Sequence, residues 1–95
     1  MTNKYEVVEM EKHTWNMDYS PSITNRWGCD SEDDAILQLR VREVEAEIQG
    51  YTDVRYEARE DGEEIVIEYV PEDDVVFEAL AKMEYTEDKI LSVLQ

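Results

Sequence analysis

Apolar and polar positions alternate on both sides of Asp61-Gly62, and this stretch predicts a β-hairpin. Asp-Gly favours a two-residue type I′ turn. Both turn positions need positive φ, which Gly accepts freely and Asp tolerates. Centring the turn there sets Ala58 opposite Ile65, Tyr56 opposite Ile67 and Val54 opposite Tyr69. Those residues form an apolar row on one face. On the other face Arg59 meets Glu64, Arg55 meets Glu68, and Glu57 lies beside Val66. A slip by one residue would drive charges into the apolar row, so turn and pattern specify the same register.

Upstream, Tyr5 to Met10 is strand-like, and His13, Trp15, Met17 and Tyr19 alternate with Thr14, Asn16, Asp18 and Ser20. Two strands joined at Glu11-Lys12 are expected, with Val8 and Met10 meeting Trp15 and His13. Ser20 to Asp30 contains Pro21, Asn25, Gly28 and several hydroxyls, which predict a loop. Its Ile23, Trp27 and Cys29 imply that this loop folds back over an edge of the core.

The spacing then changes. Leu37, Val41, Val44, Ile48 and Tyr51 recur every three or four residues, the stripe of an amphipathic helix. Ser31 is its N-cap, Asp34 stands where a capping box has Glu or Gln, and Gly50 is a natural stop. A second helix is expected over Pro71 to Glu84, burying Val76, Phe77, Leu80 and Met83. Thr86 to Gln95 reads as a short helix capped by Thr86, with Ile90, Leu91 and Leu94 on one face; an edge strand over Lys89 to Leu94 is the alternative. The predicted fold is α+β in the order ββ-α-ββ-α. An antiparallel sheet of about four strands carries the two main helices on one face. If the first two strands were one and the last element a strand, the order would become βαββαβ, as in ferredoxin-like domains. Residues 1–95 suffice for a single domain.

Charge alters this picture most. Twenty-five Asp and Glu oppose nine Lys and Arg, a formal −16, with mean hydropathy −0.64. Low hydropathy with high charge favours disorder, but the periodic apolar positions argue for a folded chain. From Glu57 to Asp74 nine acids face one base, Arg59. Glu72, Asp73 and Asp74 follow Pro71 at a helix start, where acids complement the helix dipole. Glu60, Asp61, Glu63 and Glu64 around the turn have no such structural role. So acidic a chain should avoid nucleic acid and anionic membranes and should prefer basic protein surfaces or cations. One cysteine excludes an internal disulfide and suits a reducing compartment. No apolar run is long enough to cross a bilayer, and the first residues lack the apolar core of a secretion signal. A cytosolic setting, in a cell or an infected host cell, is expected.

Candidate chemistry is sparse. Cys29 and His13 have no visible orienting partner or oxyanion hole for nucleophilic catalysis, and the acids near Cys29 would raise its pKa. A half-buried thiol and a sheet histidine are the plainer explanations. The acids at Asp30 to Asp34 and Glu72 to Asp74 lack EF-hand spacing, and no Cys/His set suits zinc. There is no phosphate-cradling Gly-rich loop, and no acid pair can be singled out for glycosidase-like work. No catalytic residue, metal or cofactor is therefore assigned.

What the sequence favours is an acidic binding or inhibitor protein that imitates nucleic acid. It would engage a basic, nucleic-acid-binding partner such as a nuclease, a restriction or CRISPR effector, or a repressor. In size and charge the chain is similar to phage-encoded inhibitors of that kind, a likeness of composition without a matched motif. The expected contact residues are Asp30, Glu32, Asp33, Asp34, Glu60, Asp61, Glu63, Glu64, Glu72, Asp73, Asp74 and Trp27, on a monomer or homodimer. Two other classes compete: a salt-adapted domain whose acids serve solubility, and a small enzyme or ligand-binding domain. Glu (16) outnumbers Asp (9) and large aliphatics are plentiful, which weighs mildly against salt adaptation.

Overall fold

The computed structural model describes residues 4–11 and 23–94. Along these the chain forms β1 (Tyr5–Glu11), β2 (Ile23–Cys29), α1 (Glu32–Gln49), β3 (Val54–Glu60), β4 (Glu63–Glu64), α2 (Asp73–Lys82) and α3 (Glu87–Leu94). The strands make one antiparallel sheet in the order β2-β1-β3-β4, so the fold is α+β. Because the last element is a helix, the ferredoxin-like order does not apply.

Helix α1 begins and ends where the sequence places it. The Ser31 hydroxyl accepts from the Asp34 amide at 3.1 Å, while the Asp34 carboxylate accepts from the Asp30 amide at 3.2 Å. Asp34 thus reaches past the cap residue to the amide before it. At the other end Gly50 takes φ +80°, and the Tyr51 amide donates to the Ala46 carbonyl at 2.9 Å, which closes a Schellman-type cap. Tyr51 lies beyond that cap and is exposed, so it does not extend the buried stripe.

Two apolar clusters share α1. On its sheet side Ala35 and Leu39 pack with Val7, Cys29, Ala58 and Ile65, flanked by Tyr5, Trp27 and Tyr56. On its far side Val41 and Val44, with Leu37 and Ile48 beside them, pack against Val76 and Leu80 of α2 and Ile90 of α3. Val7, Val41, Val44, Val76, Leu80 and Ile90 are essentially inaccessible to solvent, each favouring the fold by about 1.5–3 kcal/mol of transfer free energy. The expectation that both main helices lie on the sheet needs correction. Helix α1 covers the sheet, and α2 and α3 pack on α1 as a third layer. The apolar stripes predicted for α2 and α3 are buried, but against α1.

Two further expectations change. Residues 23–29, read as loop, form edge strand β2, pairing with β1 from Tyr5↔Cys29 to Met10↔Ile23. Ladder hydrogen bonds come from the backbone, so an outer strand can form from turn-favouring residues when its neighbour offers a template. The strand expected over His13 to Tyr19 lies outside the described residues.

The hairpin has the predicted turn: Asp61 at φ 52° and Gly62 at φ 85°. Its register is also as predicted, with Glu60↔Glu63, Arg59↔Glu64 and an Ile65 amide donating to the Ala58 carbonyl at 2.9 Å. There the pairing stops. Ile67 and Tyr69 do not lie opposite Tyr56 and Val54; β4 is two residues long, and residues 65–72 leave the sheet. The topology explains why. Helix α2 starts in the third layer, and the layers are stacked at about 10 Å between axes or sheet planes. Reaching it from the sheet needs roughly 20 Å, most of what eight extended residues can span at about 3.3 Å each. Ladder pairing of 66–70 is given up for that crossing.

Candidate acidic interface

The crossing brings separated acids together. Tyr69 donates its hydroxyl to Asp33 Oδ1 in the first turn of α1, which holds the departing segment against the helix start. That bond, first among its causes, raises the Tyr69 phenol pKa. The result is a concavity of about 560 Å³ lined by Glu32, Glu60, Asp61, Glu63, Glu64 and Glu68, together with Ile65 and Val66. Glu32 comes from one acidic cluster of the sequence and the turn acids from another. A second, more apolar groove of about 310 Å³ lies between the segment and α1. Ile36, Leu39, Arg40 and Glu43 of α1 form one wall; Ile67, Tyr69, Val70 and Pro71 form the other.

The segment is apolar but poorly covered. Val66 is 78% exposed and Val70 69%, with Ile67 and Tyr69 also open to solvent. Among the described residues, no backbone acceptor is present for the amides of residues 66–70. Exposed β-branched and aromatic residues on a segment without backbone pairing among the described residues are an unusual surface.

The remaining expected contact residues are dispersed. Asp30 and Asp34 serve the cap of α1, and Asp33 holds Tyr69. Glu72, Asp73 and Asp74 sit at the start of α2, past the crossing, where Asp73 and Asp74 occupy the first turn. Trp27 lies on β2, the opposite edge of the sheet. Its ring is half-buried, 4.4 Å from the Arg42 guanidinium and 6.1 Å from the Tyr56 ring. There it packs sheet against helix, away from the acids.

Positive charge collects elsewhere. By strand alternation, the face of the sheet turned away from α1 carries Glu6, Val8 and Met10 of β1, with Arg26, Arg55, Glu57 and Arg59 as register partners. Arg26 pairs with Glu6 at 2.7 Å, and Arg59 pairs with Glu57 at 2.9 Å instead of with Glu64 across the hairpin. Among the described residues that face therefore carries three arginines against two glutamates.

Catalytic candidates gain little. Cys29 is buried; burial first, then Asp34 and Asp30, pushes its thiol up to about 11, so it stays protonated at neutral pH. His13 lies outside the described residues. Among the described residues no group of three His, Cys, Asp or Glu side chains is arranged to hold a metal ion, and no helix is long and apolar enough to cross a membrane.

Glu32 was among the expected contact residues and lines the hollow with the turn acids; sequence reasoning missed Glu68 as a neighbour of the turn because it was assigned to a ladder with Arg55. It also missed Val66 to Val70 as open surface. The available signal was Pro71, which stops a strand and starts a helix too soon after the hairpin for both to lie in one layer. No family model, curated protein or solved structure matches this chain.

Proposed function

We propose that the chain is a small acidic binding protein that imitates nucleic-acid charge and occupies a basic, nucleic-acid-binding surface of a partner protein. The observation that carries this reading is the concavity in which Glu32 of α1 joins Glu60, Asp61, Glu63, Glu64 and Glu68. Duplex DNA presents about one negative charge per 1.7 Å of axis, and six carboxylates around one hollow are the protein counterpart of a short phosphate run. Four acids outside the hollow have helix-start roles: Asp73 and Asp74 begin α2, and Glu87 and Asp88 begin α3. Charge of this kind gives fast, salt-sensitive association, and neighbouring apolar contacts such as Val66 lengthen the complex's lifetime.

Two experiments test the reading. A pulldown from host lysate at near-physiological salt should recover a nucleic-acid enzyme that DNA displaces; recovery of no basic protein overturns it. Replacing Glu60, Asp61, Glu63 and Glu64 with Lys should weaken that partner on the order of a hundredfold. The melting temperature should hold or rise, because like-charge repulsion falls.

A further inference from the structure

The acidic hollow runs beside the end of β4 and the segment that follows it, whose amides have no backbone acceptor among the described residues. Because the Ile65 amide donates to the Ala58 carbonyl, alternation turns the Glu64 amide outward; beyond Ile65 the chain leaves the ladder, and among the described residues the amides of 66–70 have no backbone acceptor. Glu64, Val66 and Glu68 line the concavity. Fully extended, the chain from Glu63 to Glu68 spans about 17 Å, enough to template a strand of roughly five to six residues. Exposed Val66 and Val70 offer apolar contacts to alternate side chains of such a strand.

We infer that a partner's extended basic segment, with Lys or Arg alternating with β-branched residues, docks on residues 63–68 as an added antiparallel or parallel strand. This inference rests on the acidic-binder reading and specifies its mode. Backbone pairing supplies the register, and the carboxylates select the sign of the incoming chain. Charge identifies the occupant. A second copy would bring another formal −16 and its own Glu63, Glu64 and Glu68 against the same row, whereas a basic strand places cations over carboxylates on both of its faces. Glu32 on one wall and Asp61 at the turn bound the hollow, so the basic side chains meet acids along its length.

The probe is a fluorescent Lys-Val-Lys-Val-Lys-Val-Lys peptide, compared with the same peptide N-methylated at alternate amides, which keeps charge but blocks strand pairing. Anisotropy titration at low ionic strength should show binding of the first peptide and on the order of tenfold weaker binding of the second. Hydrogen exchange should show the Val66 and Glu68 amides fast in the free protein and protected in the complex. Val66→Pro removes a donor that has no backbone acceptor among the described residues. It should weaken the unmethylated peptide about fivefold relative to Val66→Ala, with an unchanged melting temperature. Equal affinity for both peptides overturns the strand mode and leaves the acidic-binder reading intact. Absence of binding to either peptide overturns the mode as well; the lysate pulldown then judges the acidic reading by itself. Slow exchange at Val66 and Glu68 in the free protein, or their protection by self-association in sedimentation, shows that the edge is already filled and also overturns it.

Discussion

Along the β2 edge of the sheet, the register with β1 shifts between Glu9 and Met10, Thr24 bonds the Glu9 carboxylate at 2.8 Å, and Arg26 pairs with Glu6. Trp27 and Cys29 anchor that strand inward against α1. Along the β4 edge the ladder is two residues long and continues as an exposed apolar chain with acids about it. The register shift, the hydrogen bond and the ion pair all lie between β2 and β1 and hold that strand in place. Acids at the β4 edge obstruct only strands of their own sign. One edge is therefore built on contacts within the sheet and the other is guarded by charge, and a charge barrier selects among partners.

The contrast can be broken most severely at its rigid end. Trp27→Ala removes the ring between Arg42 and Tyr56 and leaves the Arg42 Nε, already without a partner, under an emptied space. Urea denaturation should register a loss of about 2–3 kcal/mol, and a loss below about 1 kcal/mol would mean that β2 is not held by this packing. At the β4 end the turn is the vulnerable point. Gly62 sits at φ 85°, and an added Cβ meets nothing within 4 Å. Gly62→Ala should therefore cost about 1–2 kcal/mol through backbone strain alone.

The finest adjustment concerns Glu43, which borders the groove beside the crossing segment. Partial desolvation first raises its carboxyl pKa; Arg40 opposes this and Glu47 adds to it. A carboxyl whose folded pKa lies above its unfolded value favours the fold when protonated, and that advantage is lost as pH rises through the folded pKa. Glu43→Gln should raise the melting temperature at neutral pH and leave it unchanged at pH well below the ordinary Glu range. A gain that persists equally at both pH values would assign the effect to something other than ionisation.

How much was readable beforehand follows from what each element depends on. The turn at Asp61-Gly62, the caps at Ser31 and Gly50, and the stripe from Leu37 to Ile48 are local patterns, and the structure carries each of them. What escaped depends on distant neighbours. The second stripe of α1 (Ala35, Leu39, Arg42, Ala46) was hidden because it holds one large apolar residue, Leu39, among two alanines and an arginine. Arg42 nevertheless serves there as an apolar plate over Trp27. With that stripe unseen, the helix had one partner where it has two, and the third layer could not be inferred. The fate of 66–70 followed from the same omission. Of the expected contact acids, Glu60, Asp61, Glu63 and Glu64 were singled out for having no structural role, and they line the hollow. Glu32 joins them through the placement of a helix start that no local pattern specifies.

The crossing segment has one more implication. Its backbone is committed to distance: shorten residues 65–72 and α2 is drawn off the far side of α1, taking Val76 and Leu80 with it. Nothing comparable constrains Val66 and Val70, whose side chains touch little. A bridge whose length is compulsory and whose outward fittings are optional can acquire a new attachment without disturbing the spans it joins.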